Sequence, residues 1–92
     1  MIRGEAMLSK RGNIVCSLKG RDRQKFMIVL GYKDGRVLVT DGKERPLENP
    51  KLKNEKHISL TNSFVTEEQM LTNRTVRHAL NDFKATTAKG EI

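Results

Sequence analysis

Between Asn13 and Gly42 the chain reads as three short β-strands joined by one basic loop and two Asp-Gly turns, a pattern that little besides a small antiparallel β-domain can satisfy. Asn13-Ile14-Val15-Cys16-Ser17-Leu18 alternates Ile14, Cys16 and Leu18 with Asn13, Val15 and Ser17, which predicts a strand burying the first set. Lys19-Gly20-Arg21-Asp22-Arg23-Gln24-Lys25 then sets Lys19, Arg21, Arg23 and Lys25 against Asp22 alone, with Gly20 supplying the freedom for a tight reversal. Phe26 to Leu30 is apolar at every position, as in a strand covered on both faces. Asp34-Gly35 turns the chain into a third strand, Arg36 to Thr40, and Asp41-Gly42 turns it again.

The residues after Gly42 extend the same pattern. Lys43 to Pro50 reads as a strand-like piece that Pro46 confines to an edge, because proline cannot donate to a ladder. Asn49-Pro50 breaks it, and Lys51-Leu52-Lys53-Asn54-Glu55-Lys56 is a lysine-rich connection. Its lysines serve either as phosphate contacts or as charge protecting a sheet edge, and both can hold at once. His57-Ile58-Ser59-Leu60 is a plausible closing strand with Ile58 and Leu60 inward and His57 on the surface near Lys53 and Lys56. Turn signals near residues 20, 34, 41 and 49 suit an all-β arrangement, and the expected fold is mainly β, a small barrel of five strands.

Val15-Cys16-Ser17-Leu18-Lys19-Gly20-Arg21-Asp22 together with Val37-Leu38-Val39-Thr40-Asp41-Gly42 resembles the KOW motif. More narrowly, it is similar to the small bacterial KOW-domain RNA-binding proteins related to large-subunit ribosomal KOW proteins of archaea and eukaryotes. The resemblance spans residues 12 to 60. It continues more weakly to Phe83 through Leu71-Thr72-Asn73 and Val76-Arg77-His78-Ala79-Leu80. It implies an SH3-like barrel and an RNA partner, ribosomal RNA above all, with ribosomal proteins as further partners. One departure stands out: the family has a second glycine just before the apolar strand where this chain has Gln24.

Around this unit, residues 1–11 are expected to form an N-terminal arm, residues 12–60 the barrel and residues 61–92 a helical extension. Lys10 and Arg11 add to the positive loop if the arm folds back. Arg3-Gly4-Glu5 can be encoded by a purine-rich run just upstream of the Met7 codon, as in a bacterial ribosome-binding site, so Met7 is expected to be the natural initiator. Thr66-Glu67-Glu68-Gln69 matches a capping box. A stronger helix follows Asn73, with Val76, Ala79, Leu80 and Phe83 on one side and Arg74, Arg77, His78 and Asn81 on the other. That polar side is either a solvated face or a continuation of the binding surface. Ala85 to Ile92 lacks a period and is expected to fray.

Charge narrows the function. Eighteen Lys and Arg against eleven Asp and Glu give a net charge of +7, which points to a polyanionic partner. One cysteine excludes an internal disulfide, and Cys16 is expected to be a core residue. With His57 and His78 the only histidines, no zinc pattern exists and no cofactor is expected. Asp22, Asp34 and Asp41 read as turn residues rather than catalytic acids, so no enzyme activity is expected. No apolar run is long enough for a signal peptide or membrane span, and a cytoplasmic monomer is expected. The expected function is binding of structured RNA, in association with the ribosome, through phosphates. Its candidate contacts are Lys19, Gly20, Arg21, Arg23, Lys25, Lys51, Lys53, Lys56, Arg74 and Arg77. The alternative is a protein-docking module that binds RNA polymerase or a ribosomal protein.

Overall fold

The computed structural model describes residues 10–90. The expected Met7 start and most of the arm therefore lie outside the described residues. Among the described residues, five strands, β1 (Asn13–Ser17), β2 (Phe26–Lys33), β3 (Arg36–Thr40), β4 (Lys51–Lys53) and β5 (Ile58–Phe64), precede one long helix, α1 (Asn73–Gly90). Two 3-10 turns, Glu55–His57 and Glu68–Met70, link the later elements. The strands form one antiparallel sheet in the order β4-β3-β2-β1-β5.

The sheet has to curl. β4 and β5 are its opposite edges, yet only Asn54 to His57 separate them. In a flat five-stranded sheet those edges lie about 19 Å apart. The chain from Lys53 to Ile58 reaches at most about 18 Å when fully extended, and here much of it is wound into a 3-10 turn. Register shifts between Val29 and Gly31 in β2 and between Asn13 and Val15 in β1 add local bends. β4 and β5 do not pair with each other, so the curled sheet stays open.

Curling gives two cores. Inside the curl lie Val15, Met27, Val29, Val37, Val39 and Ile58. On the outer face Ile14 and Ile28 pack under Met70, Val76, Ala79 and Leu80, joined by Phe26 and Phe83 in an edge-to-face pair 5.0 Å apart. The end of β2, Tyr32 and Lys33, is exposed, whereas from Phe26 to Leu30 it is apolar because both faces are covered, as its composition suggested. β1 departs from expectation for the same reason. Ile14 faces the helix, Val15 and Ser17 point into the curl, Cys16 is only half-buried, and Leu18 is 45% exposed. Leu60, expected inward, stands opposite Val15 but on the open edge strand, and is 44% exposed.

Asp34 and Gly35 both have positive φ, 50° and 75°, as a two-residue hairpin turn requires. The turn at Asp41-Gly42 differs from expectation, because residues 43–49 form no strand. The Asp41 carboxylate accepts from the Lys43 and Arg45 amides at 2.8 and 2.9 Å, and the Thr40 hydroxyl donates to the Arg45 carbonyl at 2.6 Å. These local bonds, with Pro46 and Pro50 lacking donors, outcompete a ladder. The edge strand is instead the short Lys51–Lys53. Gly42 presses this connection onto the start of α1, since a Cβ there would meet the Asn73 carbonyl oxygen at 2.6 Å.

The Thr66 and Gln69 side chains do bond each other's backbone amides, at 3.2 and 2.9 Å, but they cap only the 3-10 turn Glu68–Met70. Thr72 and Thr75 make the equivalent reciprocal pair at the start of α1. Along α1, Val76, Ala79 and Leu80 are buried and Phe83 is half-buried, as the apolar spacing indicated. α1 runs through Ala85, where fraying was expected to begin, to Gly90, and Glu91 and Ile92 lie outside the described residues. Among the described residues no helix is long and apolar enough to cross a membrane.

Candidate nucleic-acid interface

The basic loop between β1 and β2 is held by its own backbone. Gln24 N–H donates to the Ser17 carbonyl at 2.7 Å, Lys25 N–H to Asp22 at 2.9 Å and Arg23 N–H to Gly20 at 3.1 Å. Its one carboxylate points inward. Asp22 is 2% exposed and accepts from the Arg45 guanidinium at 3.3–3.4 Å, with Lys53 Nζ 3.9 Å away. Asp22 is therefore the anchor that ties the loop to the mouth of the curled sheet, beyond the turn role its sequence position suggested.

Lys53 was a candidate RNA contact, and the structure turns it the other way. It stands opposite Val37, so it shares the sheet's inner face, where it is 7% exposed. Its ammonium donates to the Lys19 carbonyl at 3.0 Å. Burial lowers its pKa, and Asp22 partly offsets that. Lys53 holds the loop from within and is not free to meet a phosphate.

With the loop pinned, its cations face out. Lys19, Arg21 and Arg23 are exposed and make no ion pair with any described residue. Lys19, Gly20 and Arg21 form one wall of a cleft of about 390 Å³ whose other side carries Arg45, Lys51 and His57, with Asp22 and Lys53 also among its lining residues. Lys51 is half-buried, and Lys56 is exposed on the 3-10 turn beside His57.

A second groove, about 400 Å³, lies between the loop's other end and α1. Gln24 and Lys25 line it from the loop, Asp41 and Lys43 from the β3–β4 connection, and Arg77, Asn81 and Lys84 from the helix. Arg77 is braced by donating to the Gly42 carbonyl at 2.8 Å. Lys25 is paired with Glu44 at 2.7 Å, a surface contact that raises the lysine pKa and lowers the carboxyl pKa. Arg74 is not part of this groove. It lines a separate depression with Glu68, His78 and Asp82. Arg11 is also apart, at the opposite end of the β1–β2 hairpin, where it bonds Glu67 and the Leu30 carbonyl. Lys84, which was not among the expected contacts, lines the groove, as do Lys43 and Asn81, while Arg45 lines the first cleft.

Among the described residues no group of three or more His, Cys, Asp or Glu side chains could hold a metal ion. A scan against family models and a search of curated proteins each found no match to this chain.

Proposed function

We propose that this protein binds folded RNA through the phosphate backbone, using the basic end built around the Lys19–Lys25 loop. The observation that carries this is the division of labour in the loop: its carboxylate is buried, whereas Lys19, Arg21 and Arg23 are exposed, on a backbone already fixed, and form no ion pair with any described residue. Ordering such cations against phosphates costs little further entropy, so their attraction goes into affinity. Backbone recognition is favoured over base stacking because Phe26, the one Phe or Tyr among the described residues that lines either basic cleft, is half-buried against Phe83. The resemblance to KOW proteins supports completing the fold assignment as an SH3-like barrel and the setting as the ribosome in the cytoplasm, with no enzyme activity.

Docking onto a protein, RNA polymerase or a ribosomal protein, is the second reading. It is favoured by Leu60 and by Phe64, 57% exposed, on the edge strand β5, whose outer side pairs with no described strand. Salt separates the two. Affinity for a ribosomal-RNA stem-loop, measured by fluorescence anisotropy from low to high salt, is expected to fall with a log–log slope of about −0.7 to −0.9 per phosphate contacted. A flat slope, or equal affinity for an unstructured oligonucleotide, overturns the proposal.

A further inference from the structure

Gln24 holds a conformation that suits glycine. Its φ is 68°, in the left-handed region where a side chain such as glutamine is strained. The loop does not need that side chain. The bonds that fix the turn, Gln24 N–H to Ser17 and Lys25 N–H to Asp22, are backbone to backbone and would serve a glycine equally. The side-chain amide is exposed, bonds no described residue, and lines the groove between the loop and α1. Asn81, on the facing helix, is likewise exposed and unbonded in the same groove. Around these two amides stand Lys43, Arg77 and Lys84, with Lys25 paired to Glu44 and Asp41 also on the lining. Strain kept at a position whose side chain contributes nothing to the fold calls for a ligand.

We propose that this groove is a ribose-reading limb of the interface, in which the Gln24 and Asn81 amides bond 2′-hydroxyls while Lys43, Arg77 and Lys84 hold the flanking phosphates. The proposal rests on the RNA-binding reading and adds selectivity to it. A carboxamide carries both donor and acceptor, as a 2′-hydroxyl does, so the two can pair in either sense. Phosphate contacts alone are blind to that hydroxyl. The limb is also separate from the first cleft, so it lengthens the backbone track the protein can follow.

The test uses the full chain with two probes, an RNA stem-loop and its 2′-fluoro counterpart, which lacks the hydroxyl donor. The unmodified protein is expected to prefer the hydroxyl probe by about twofold to tenfold, the worth of one or two neutral hydrogen bonds. Gln24→Gly is expected to melt a few degrees higher, because strain is relieved, yet to lose much of that preference. Asn81→Ala should lose preference while the melting point holds or rises slightly, since alanine is the better helix former. Lys84→Ala should weaken both probes alike and flatten the salt slope. Equal binding of both probes by the unmodified protein, or full preference retained by both Gln24→Gly and Asn81→Ala, overturns the ribose-reading proposal. If Lys19→Ala and Arg21→Ala still weaken binding in that case, RNA binding stands and only this limb falls. If they too change nothing, RNA binding falls with it.

Discussion

Replacing Asp22 with Ala tests whether the basic loop is held from inside. The substitution strands Lys53, a nearly buried ammonium, with the Lys19 carbonyl as its remaining bonding partner, and frees Arg45. Breaking a buried ion pair from one side costs about 3–5 kcal/mol. The contacts here are long, 3.3 Å to Arg45 and 3.9 Å to Lys53, and Arg45 is partly exposed, so about 2–4 kcal/mol is expected. For a domain of this size that lowers the melting temperature by roughly 10–25 °C. Because the chain has no tryptophan, far-ultraviolet circular dichroism in urea and on heating is the assay. Asp22→Ala/Lys53→Met removes both charges and is expected to recover at least half of the loss. pH provides an independent check. The Lys53 pKa is lowered in the folded state, so the unfolded chain binds more protons and stability gains from this residue as pH rises toward 10.5. Without Asp22 the gain should be larger, and the deficit of Asp22→Ala should shrink in alkali. A loss under about 1 kcal/mol, or a double variant no better than the single one, would refute the anchoring.

Three further expectations follow from the same geometry. Lys19→Ala, Arg21→Ala and Arg23→Ala should each flatten the salt slope of RNA binding by about 0.7–0.9, whereas Lys33→Ala, at the far end of the sheet, and Arg74→Ala should leave it unchanged; a uniform small loss across all five would point to a diffuse field. Gly42→Ala should cost more than about 2 kcal/mol in urea unfolding, since φ is 74° and the new Cβ would press on the Asn73 carbonyl; a neutral result would mean the connection is not docked on α1. Cys16→Ser should cost under about 1 kcal/mol, and the native thiol should label readily, because the side chain is only half-buried; slow labelling would contradict that exposure.

Local pattern carried the parts of the fold that local physics decides. The apolar run Phe26 to Leu30, the Asp34-Gly35 turn and the Val76, Ala79, Leu80 stripe each imply their environment without knowledge of neighbours. What pattern could not show is which face is inside when both are covered. β1 buries Ile14 under the helix and Val15 within the curl, so alternation has no single answer there. Lys53 was hidden for a related reason. In sequence it is one of several lysines in a polar segment, and only its pairing opposite Val37 turns it inward. Asp22 held a clue, since a lone carboxylate among four exposed-looking cations has the charge to hold a buried one. Strand parity held another. In an antiparallel meander the β1–β2 and β3–β4 connections fall at the same end, which brings Lys43 and Arg45 beside the basic loop from strand count alone. Lys84 and Asn81 follow no such rule, because their place depends on how α1 lies across the sheet. The proposed interface thus draws on three segments distant in sequence, and its charge density arises from topology: the loop supplies Lys19, Arg21 and Arg23, α1 supplies Arg77 and Lys84, and the curl that buries Lys53 brings Arg45 and Lys51 to the mouth beside the loop.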